Sequence, residues 1–503
     1  MPTDTIFSHP LVLSVILALP LMGIIAKLFR VSSARIAKWY LYVSVFAVVI
    51  VMDSIFFPFI GGKDYFFRFC IELSLIFFVL WWAFEAKKGE LGAMLRDAFK
   101  KPLVIAVTAF LVAFHLACVF GYDFHASFWS NYERGEGGFQ MIHYYLFFIL
   151  LVLFMKKESD WRNIFKCSLV AAGLMIIYGI FGNYGVNTFI GPYAGAAAPV
   201  GWWHTLIDGR FEGSLGNPAY VAPYLVFSMF FAAYLWLWTG LSGRAAKLAA
   251  WGWGILIAIF LFFFILSQTR GAFIGLAAGI FVLVLYFIIA GKGNLRKWSS
   301  ITLGILVVLG IGLYAIRNVP AVKNLPEGRL LQISLSDTTA QTRLWVWAEA
   351  WHGFLERPVF GWGPENFTTV FDKYFNPNFF VPAGNTQTWF DRAHSVYFDY
   401  LTETGIVGLL AYLSIFFIFF MSLFKHHRRA RRELDGDRAD HKRHNLLVLE
   451  RGMIFAVLVA YLVQGIAIFD VFPMYLALFL FLGFDYYYFY VRTPHHPSHH
   501  QES

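Results

Sequence analysis

Arg392-Ala-His394-Ser-Val-Tyr397-Phe-Asp-Tyr-Leu401-Thr-Glu403-Thr-Gly405-Ile-Val-Gly408 is where a long polar segment runs into an apolar helix. The apolar run then continues to Phe424, which is long enough to cross a bilayer. At helical spacing His394, Tyr397, Leu401, Gly405 and Gly408 share one face, and the two glycines leave room for a second helix to approach. An imidazole at a membrane rim titrates near neutral pH and accepts a proton, as a general base must. The other reading of this residue is a helix-start histidine whose ring only reaches toward water.

Hydrophobic residues make up 59% of the chain, aromatic residues 20% and charged residues 14%, with a mean hydropathy of +0.61. That balance excludes a soluble globule and predicts an all-α, polytopic membrane protein. The formal net charge of +9 raises the possibility of a nucleic-acid partner. The cations, however, sit in short clusters between apolar runs, as cytoplasmic loops require, and so report topology instead. The three cysteines, Cys70, Cys118 and Cys167, have no CxxC spacing and indicate neither a disulfide framework nor a zinc site.

Apolar runs fall at residues 11–29, 39–60, 65–86, 102–121, 139–155, 164–184, 218–238, 249–267, 272–290, 301–316, 395–424, 446–469 and 474–491. About thirteen spans follow from the ~20-residue rule. Inner loops are marked by Lys87 to Lys101, by Lys156, Lys157 and Arg162, by Arg244 and Lys247, by Lys292 to Lys297, and most strongly by Arg428, Arg429, Arg431 and Arg432. The chain divides into a membrane core over 1–316, an extracytoplasmic loop over 317–393, C-terminal membrane helices over 394–492 and a disordered tail over 493–503. Within the spans Arg68 and Glu72 stand four apart and can pair, while Asp53, His115 and Asp485 are candidates for helix-to-helix hydrogen bonds. No ladder of carboxylates runs through the spans, which weakens a proton-driven transporter.

Outward-facing arginines run against the positive-inside bias and so carry information. Arg210 precedes Phe-Glu-Gly-Ser-Leu-Gly-Asn217-Pro218, where Asn217 caps and Pro218 opens the next helix. Arg270 lies in the tight turn Ser267-Gln-Thr-Arg-Gly271. Two cations thus bracket one surface near a helix N-terminus, where amide dipoles favour an anion. Guanidinium groups grip phosphate bidentately, so a lipid-linked diphosphate is a fitting ligand; ordinary lipid headgroups are the alternative. In the outer loop, residues 341–355 are helix-forming with interfacial tryptophans, the helix stops before Pro358, and Gly361-Trp-Gly363 turns. Residues 376–389 read as a loop covering the site.

Arg210-Phe-Glu-Gly-Ser-Leu-Gly-Asn-Pro218, Thr269-Arg-Gly271, Arg343-Leu-Trp345 through Pro358-Val-Phe-Gly-Trp-Gly363, and His394-Ser-Val-Tyr-Phe-Asp-Tyr-Leu401 with Glu403, Gly405 and Gly408 together resemble the O-antigen ligase and polymerase superfamily. Trp129-Ser-Asn-Tyr-Glu133-Arg134-Gly-Glu136-Gly137 is similar to that family's outer loop before a span. The resemblance covers roughly residues 128–408 and rests on the order of short motifs, none of them specific alone. It implies an inverting glycosyltransferase that uses no metal or cofactor, takes an undecaprenyl-diphosphate-linked glycan as donor, and works at the outer face of a bacterial cytoplasmic membrane. On that resemblance Arg210 and Arg270 hold the diphosphate and His394 acts on the acceptor hydroxyl. Arg343, Arg392, Tyr397 and Arg134 are further candidate substrate contacts. Glycan, lipid and protein acceptors all stay open, and a polysaccharide or lipid-linked-glycan transporter is the alternative from another class.

Overall fold

A computed structural model describes residues 10–52, 57–131, 134–181, 210–239, 243–323, 328, 338–380, 389–433 and 440–492. Among these every regular element is a helix. In chain order they are α1 Pro10–Leu28, α2 Ser33–Ser44, α3 Gly61–Phe84, α4 Glu90–Phe99, α5 Pro102–Phe120, α6 Phe124–Trp129, α7 Gly138–Phe154 and α8 Glu158–Phe181. There follow α9 Pro218–Thr239, α10 Gly243–Leu266, α11 Arg270–Ala290, α12 Asn294–Ile316, α13 Thr338–Glu356, α14 Phe367–Lys373, α15 Val396–Glu433, α16 Asp440–Gln464 and α17 Phe472–Tyr486, besides short 3-10 and single-turn pieces.

Ten helices among the described residues are long and apolar enough to cross a membrane, and Leu17–Leu28 and Gly138–Phe154 are shorter apolar helices. The run at 39–60 is not one continuous span. Its helix, α2, ends at Ser44 and tightens into a 3-10 turn over Val45–Val49. The tail 493–503, Asp53 and residues 381–388 of the expected cover lie outside the described residues.

The last helix in the sequence is central in space. Every residue of α17 is buried, and its aromatic rings pack against those of its neighbours: Phe479 stacks on Tyr144 at 5.6 Å between centroids, and Phe484 meets Phe165 edge-on at 5.1 Å. Lipid is as apolar as leucine, so van der Waals fit of this kind, and not escape from water, holds membrane helices together. By contrast α12 leaves most of its apolar side chains facing outward, including Val308 and Ile311.

Two local features position the site. First, Gly275 and Gly279 of α11 face α16 so closely that a methyl on either would sit 2.6 Å from the Ala460 carbonyl oxygen or 2.7 Å from that of Ala456. This small-residue seam brings the α11 N-terminus, with Arg270, beside the turn that ends α16. Second, the face expected from His394 through Gly408 is not one continuous helix. His394 lies ahead of α15 with φ of +55°, and α15 itself breaks at Gly405, where φ is +64°. The break opens backbone groups that the segment between α13 and α14 fills: Trp362 N–H donates to Thr402 O (2.9 Å), Gly363 N–H to Glu403 O (2.8 Å), and Ile406 N–H to Pro358 O (2.8 Å). A side chain at Gly405 would collide with the Val359 carbonyl, so what approaches this glycine is loop backbone, not a second helix.

The expected pairing of Arg68 with Glu72 does not form. Arg68 instead donates to the Gly135 carbonyl (3.0 Å) and to Gln140, and lies over the Phe139 ring, while Glu72 is 3.3 Å from His143 Nε2. The loop entering α7 offers Arg68 a carbonyl and the first turn of α7 an amide oxygen, and they outcompete the i,i+4 partner. His115 bonds to Leu111 of its own helix, and both carboxylate oxygens of Asp485 are buried without a hydrogen-bond partner.

Candidate functional site

The site is built at the ends of helices. Arg210, just ahead of α9, is tied to the turn before α11: its Nε donates to Ser267 O (3.0 Å) and its Nη2 to Thr269 Oγ1 (3.1 Å). Thr269 Oγ1 in turn donates to the Pro218 carbonyl (3.1 Å), and Phe211 N–H donates to Leu266 O (3.0 Å). Asn217 caps as the sequence suggested, its Oδ1 accepting the Ala219 N–H at 2.8 Å. Arg210 and Arg270 therefore share one turn, and the N-termini of α9 and α11 open beside it.

Arg343 on α13 reaches the same place. Burial, with the charge of Arg270 close by, lowers its pKa, as expected where two guanidinium groups crowd together in a dry setting. Arg134, from the loop before α7, pairs with Asp391 Oδ2 (2.6 Å), donates to the Tyr220 hydroxyl (2.8 Å), and lies over the Phe469 ring at 5.0 Å. Burial works to raise the Asp391 carboxyl, but the hydrogen bond and charge of Arg134, with Arg392 beyond, outweigh it and hold Asp391 below the usual carboxylate range.

His394 sits among these cations. Its ring is flanked edge-on by Phe390 at 5.2 Å and Phe469 at 5.1 Å between centroids, and its Nδ1 is 3.1 Å from the Arg392 carbonyl oxygen. A carbonyl oxygen can only accept, so Nδ1 carries the proton and Nε2 keeps the lone pair. Burial, followed by the charges of Arg343 and Arg134, pushes the imidazole down to about 4, against the raising pull of the Arg392 carbonyl and Asp391. At neutral pH the ring is uncharged and able to take a proton.

Backbone ties fix the segment. Val396 N–H donates to Gly465 O (2.9 Å) and Ile468 O (3.0 Å), and Trp347 Nε1 donates to Ala393 O (3.0 Å). The turn that closes α16 thus holds the entry to α15, and the glycine seam holds Arg270 against that same turn.

Arg392 and Tyr397 are turned elsewhere. Arg392 is buried, its Nη1 donating to Glu403 at 2.9 and 3.0 Å and its Nη2 paired with Glu365, which leaves it directed into protein. The Tyr397 hydroxyl donates to the Leu462 carbonyl (2.7 Å). Behind them Glu136, Asp399, Glu403 and Asp470 line a small cavity with Arg392. Burial pushes Asp470 up to about 7, with the Tyr461 hydroxyl pulling the other way, and lifts Glu136 well above the carboxylate range. Sequence reasoning missed Asp391, Tyr220, Glu365 and the two flanking phenylalanines. Phe390 and Asp391, four and three residues before His394, carried a local signal; Tyr220, Glu365 and Phe469 come from other segments and carried none.

Residues 255–413 match the family model described as O-Antigen ligase. That stretch is similar to the O-antigen ligase family. It takes in Arg270, Arg343, Arg392, His394 and Tyr397, while Arg134 and Arg210 precede it in the chain. No curated protein matches the chain.

Proposed function

We propose that the protein transfers a glycan from an undecaprenyl-diphosphate carrier to an acceptor hydroxyl, without a metal ion and with inversion at the anomeric carbon. The observation that carries this reading is one neutral imidazole beside Arg134 and Arg343, with Arg270 near Arg343 and Arg210 tied to the turn before Arg270, in a chain whose residues 255–413 match the O-antigen ligase family. In the reaction, His394 Nε2 takes the acceptor O–H proton as the acceptor oxygen bonds to the anomeric carbon. The bond from that carbon to the phosphate oxygen breaks, and its electron pair leaves with the lipid diphosphate. Arg210 and Arg270, joined by Arg343, offset the charge gathering on the leaving group, the role a divalent cation plays in other phosphate chemistry.

The site faces the outside of a bacterial cytoplasmic membrane. Supporting this, Arg270 opens α11 at one end while Lys292, Arg296 and Lys297 follow its other end, where inner-loop cations belong. Residues 317–393 form the outer loop, and the partners are the lipid-linked donor, a glycan, lipid or protein acceptor, and membrane lipid. The test is purified protein in liposomes supplied with a radiolabelled undecaprenyl-diphosphate glycan, with rough lipopolysaccharide, free glycan or pilin-type protein as acceptor. Label should move to one of these and separate ligase, polymerase and protein glycosylation. Transport of the label across the bilayer without any covalent transfer would overturn the reading in favour of a transporter.

A further inference from the structure

His394 occupies a left-handed backbone conformation, with φ of +55°. A residue with a side chain stays there only where its surroundings over-determine it. The groups that do so lie on both sides. Ahead of it, Ala393 N–H donates to Asp399 Oδ1 at 2.6 Å and the Arg392 side chain is buried between two carboxylates. Behind it, Val396 is bonded to the end of α16. The imidazole's own directional bond runs to the Arg392 carbonyl oxygen. Whatever places Arg392 therefore places the ring.

Arg392 is placed by two distant parts of the chain. Glu403 sits just before the break in α15 and receives both the Arg392 guanidinium and the Glu365 N–H, the latter at 3.0 Å. Glu365 follows the outer-loop turn that fills the break, has φ of +66°, and pairs with the guanidinium's second nitrogen. Arg392, Glu365 and Glu403 are at most 8% exposed, so this is a desolvated bridge in which negative groups outnumber the cation. Buried ion pairs of this kind add little net stability over apolar packing; what they add is a defined geometry.

We propose that Arg392, clamped between Glu365 and Glu403, is a positioning residue that acts through its own carbonyl oxygen to hold the His394 imidazole with Nε2 toward the acceptor hydroxyl. The proposal rests on the glycan-transfer reading for its consequence, but its structural part stands apart from it. Docking of the outer loop into the break of α15 and alignment of the base become one event, because Glu365 belongs to the loop and Glu403 to the helix.

The test has two arms, both on the full-length protein. In the first, imidazole-15N spectra of the wild type and of His394→Ala identify the His394 signals among the 15 histidines. The wild type should show Nδ1 protonated and Nε2 bare, Arg392→Lys should keep that tautomer, and Glu403→Gln and Arg392→Met should mix the two tautomers. In the second, transfer from undecaprenyl-diphosphate-linked O-antigen to rough lipopolysaccharide should show kcat down by about a hundredfold in Glu403→Gln, the usual scale for a misplaced catalytic group, with donor KM nearly unchanged. Arg392→Lys should recover part of the loss relative to Arg392→Met. Should Arg392→Met not fold, Glu403→Gln carries both arms. A wild-type tautomer together with wild-type kcat in folded Glu403→Gln would overturn the proposal. Normal turnover in His394→Ala would overturn the transfer mechanism instead, and the tautomer arm would still decide whether Arg392 orients the ring.

Discussion

The chemistry proposed for His394 turns on where its proton sits. Burial and the neighbouring guanidinium groups disfavour the imidazolium, so the proton leaves at a lower pH than the ordinary 6.5 and the ring is a competent base down to about 4. Protonation below that value removes the lone pair, so kcat/KM for transfer should stay flat from neutral pH into the acid range and fall only near 4. An acid limb at 6.5 or above, measured on the reconstituted enzyme, would contradict an imidazole held among arginines. A bound diphosphate neutralises those arginines, so the acid limb of kcat should lie above that of kcat/KM. Arg270→Ala and Arg210→Ala should each lower kcat by roughly 10²–10³, the range for loss of one group that stabilises a leaving anion. Steady-state transfer assays check this, with membrane insertion confirmed in parallel; transfer within about threefold of wild type would remove that arginine from the diphosphate site. Much of this was legible in the sequence. Arg210, Arg270, Arg343 and His394 are named from it; Arg210 is tied to the turn before Arg270, Arg343 lies near both Arg270 and His394, and Arg392 is paired with Glu365 and Glu403. Residue type reveals that a guanidinium wants an anion; which anion it finds depends on carboxylates that the chain delivers from elsewhere.

At the scale of elements, the break in α15 is the decisive local structure. Gly405→Ala forces a side chain into backbone with φ of +64° and ψ of −168°, a region that is essentially glycine-only, at roughly 1–3 kcal/mol, and sets its methyl against the Val359 carbonyl. The variant should melt several degrees lower in detergent and lose transfer, because the loop that fills the break also carries Glu365. Gly304→Ala, where nothing lies within 4 Å, should melt with the wild type and so serves as the control. Gly279→Leu tests the other element. Prying α11 from α16 should lower both the melting temperature and turnover, since that seam sets Arg270 beside the turn that holds His394. The glycines at 271, 275 and 279 are spaced by four, a signal visible in the sequence that marks a close-packed helix face without naming its partner. Gly405 looked like part of a similar face. Its role as a break is not local, because only the incoming loop supplies the hydrogen bonds that make a broken helix tolerable in lipid.

For the whole molecule, the orientation proposed from charge makes a direct prediction. With Cys167 replaced by serine, Cys70 and Cys118 remain fully buried, so a single cysteine introduced at exposed Lys88 or exposed Asn378 can be probed alone. Asn378→Cys should react with a membrane-impermeant maleimide on intact cells and Lys88→Cys only after lysis; the reverse pattern would turn the active site toward the cytosol. Composition and the period of apolar runs determined by themselves that this is a helical membrane protein, roughly where its helices lie, and which residue types stand ready for phosphate and proton chemistry. These follow because a bilayer imposes one length and one polarity on any segment that crosses it. Only the tertiary structure decided that the final helix is the core, that the run at 39–60 is not a single span, that Arg210 is tied to the turn before Arg270, and that Arg392 is paired with Glu365 and Glu403. Those outcomes depend on contacts between segments separated along the chain, and the free energy of such contacts is a property of the packed assembly that no local stretch contains.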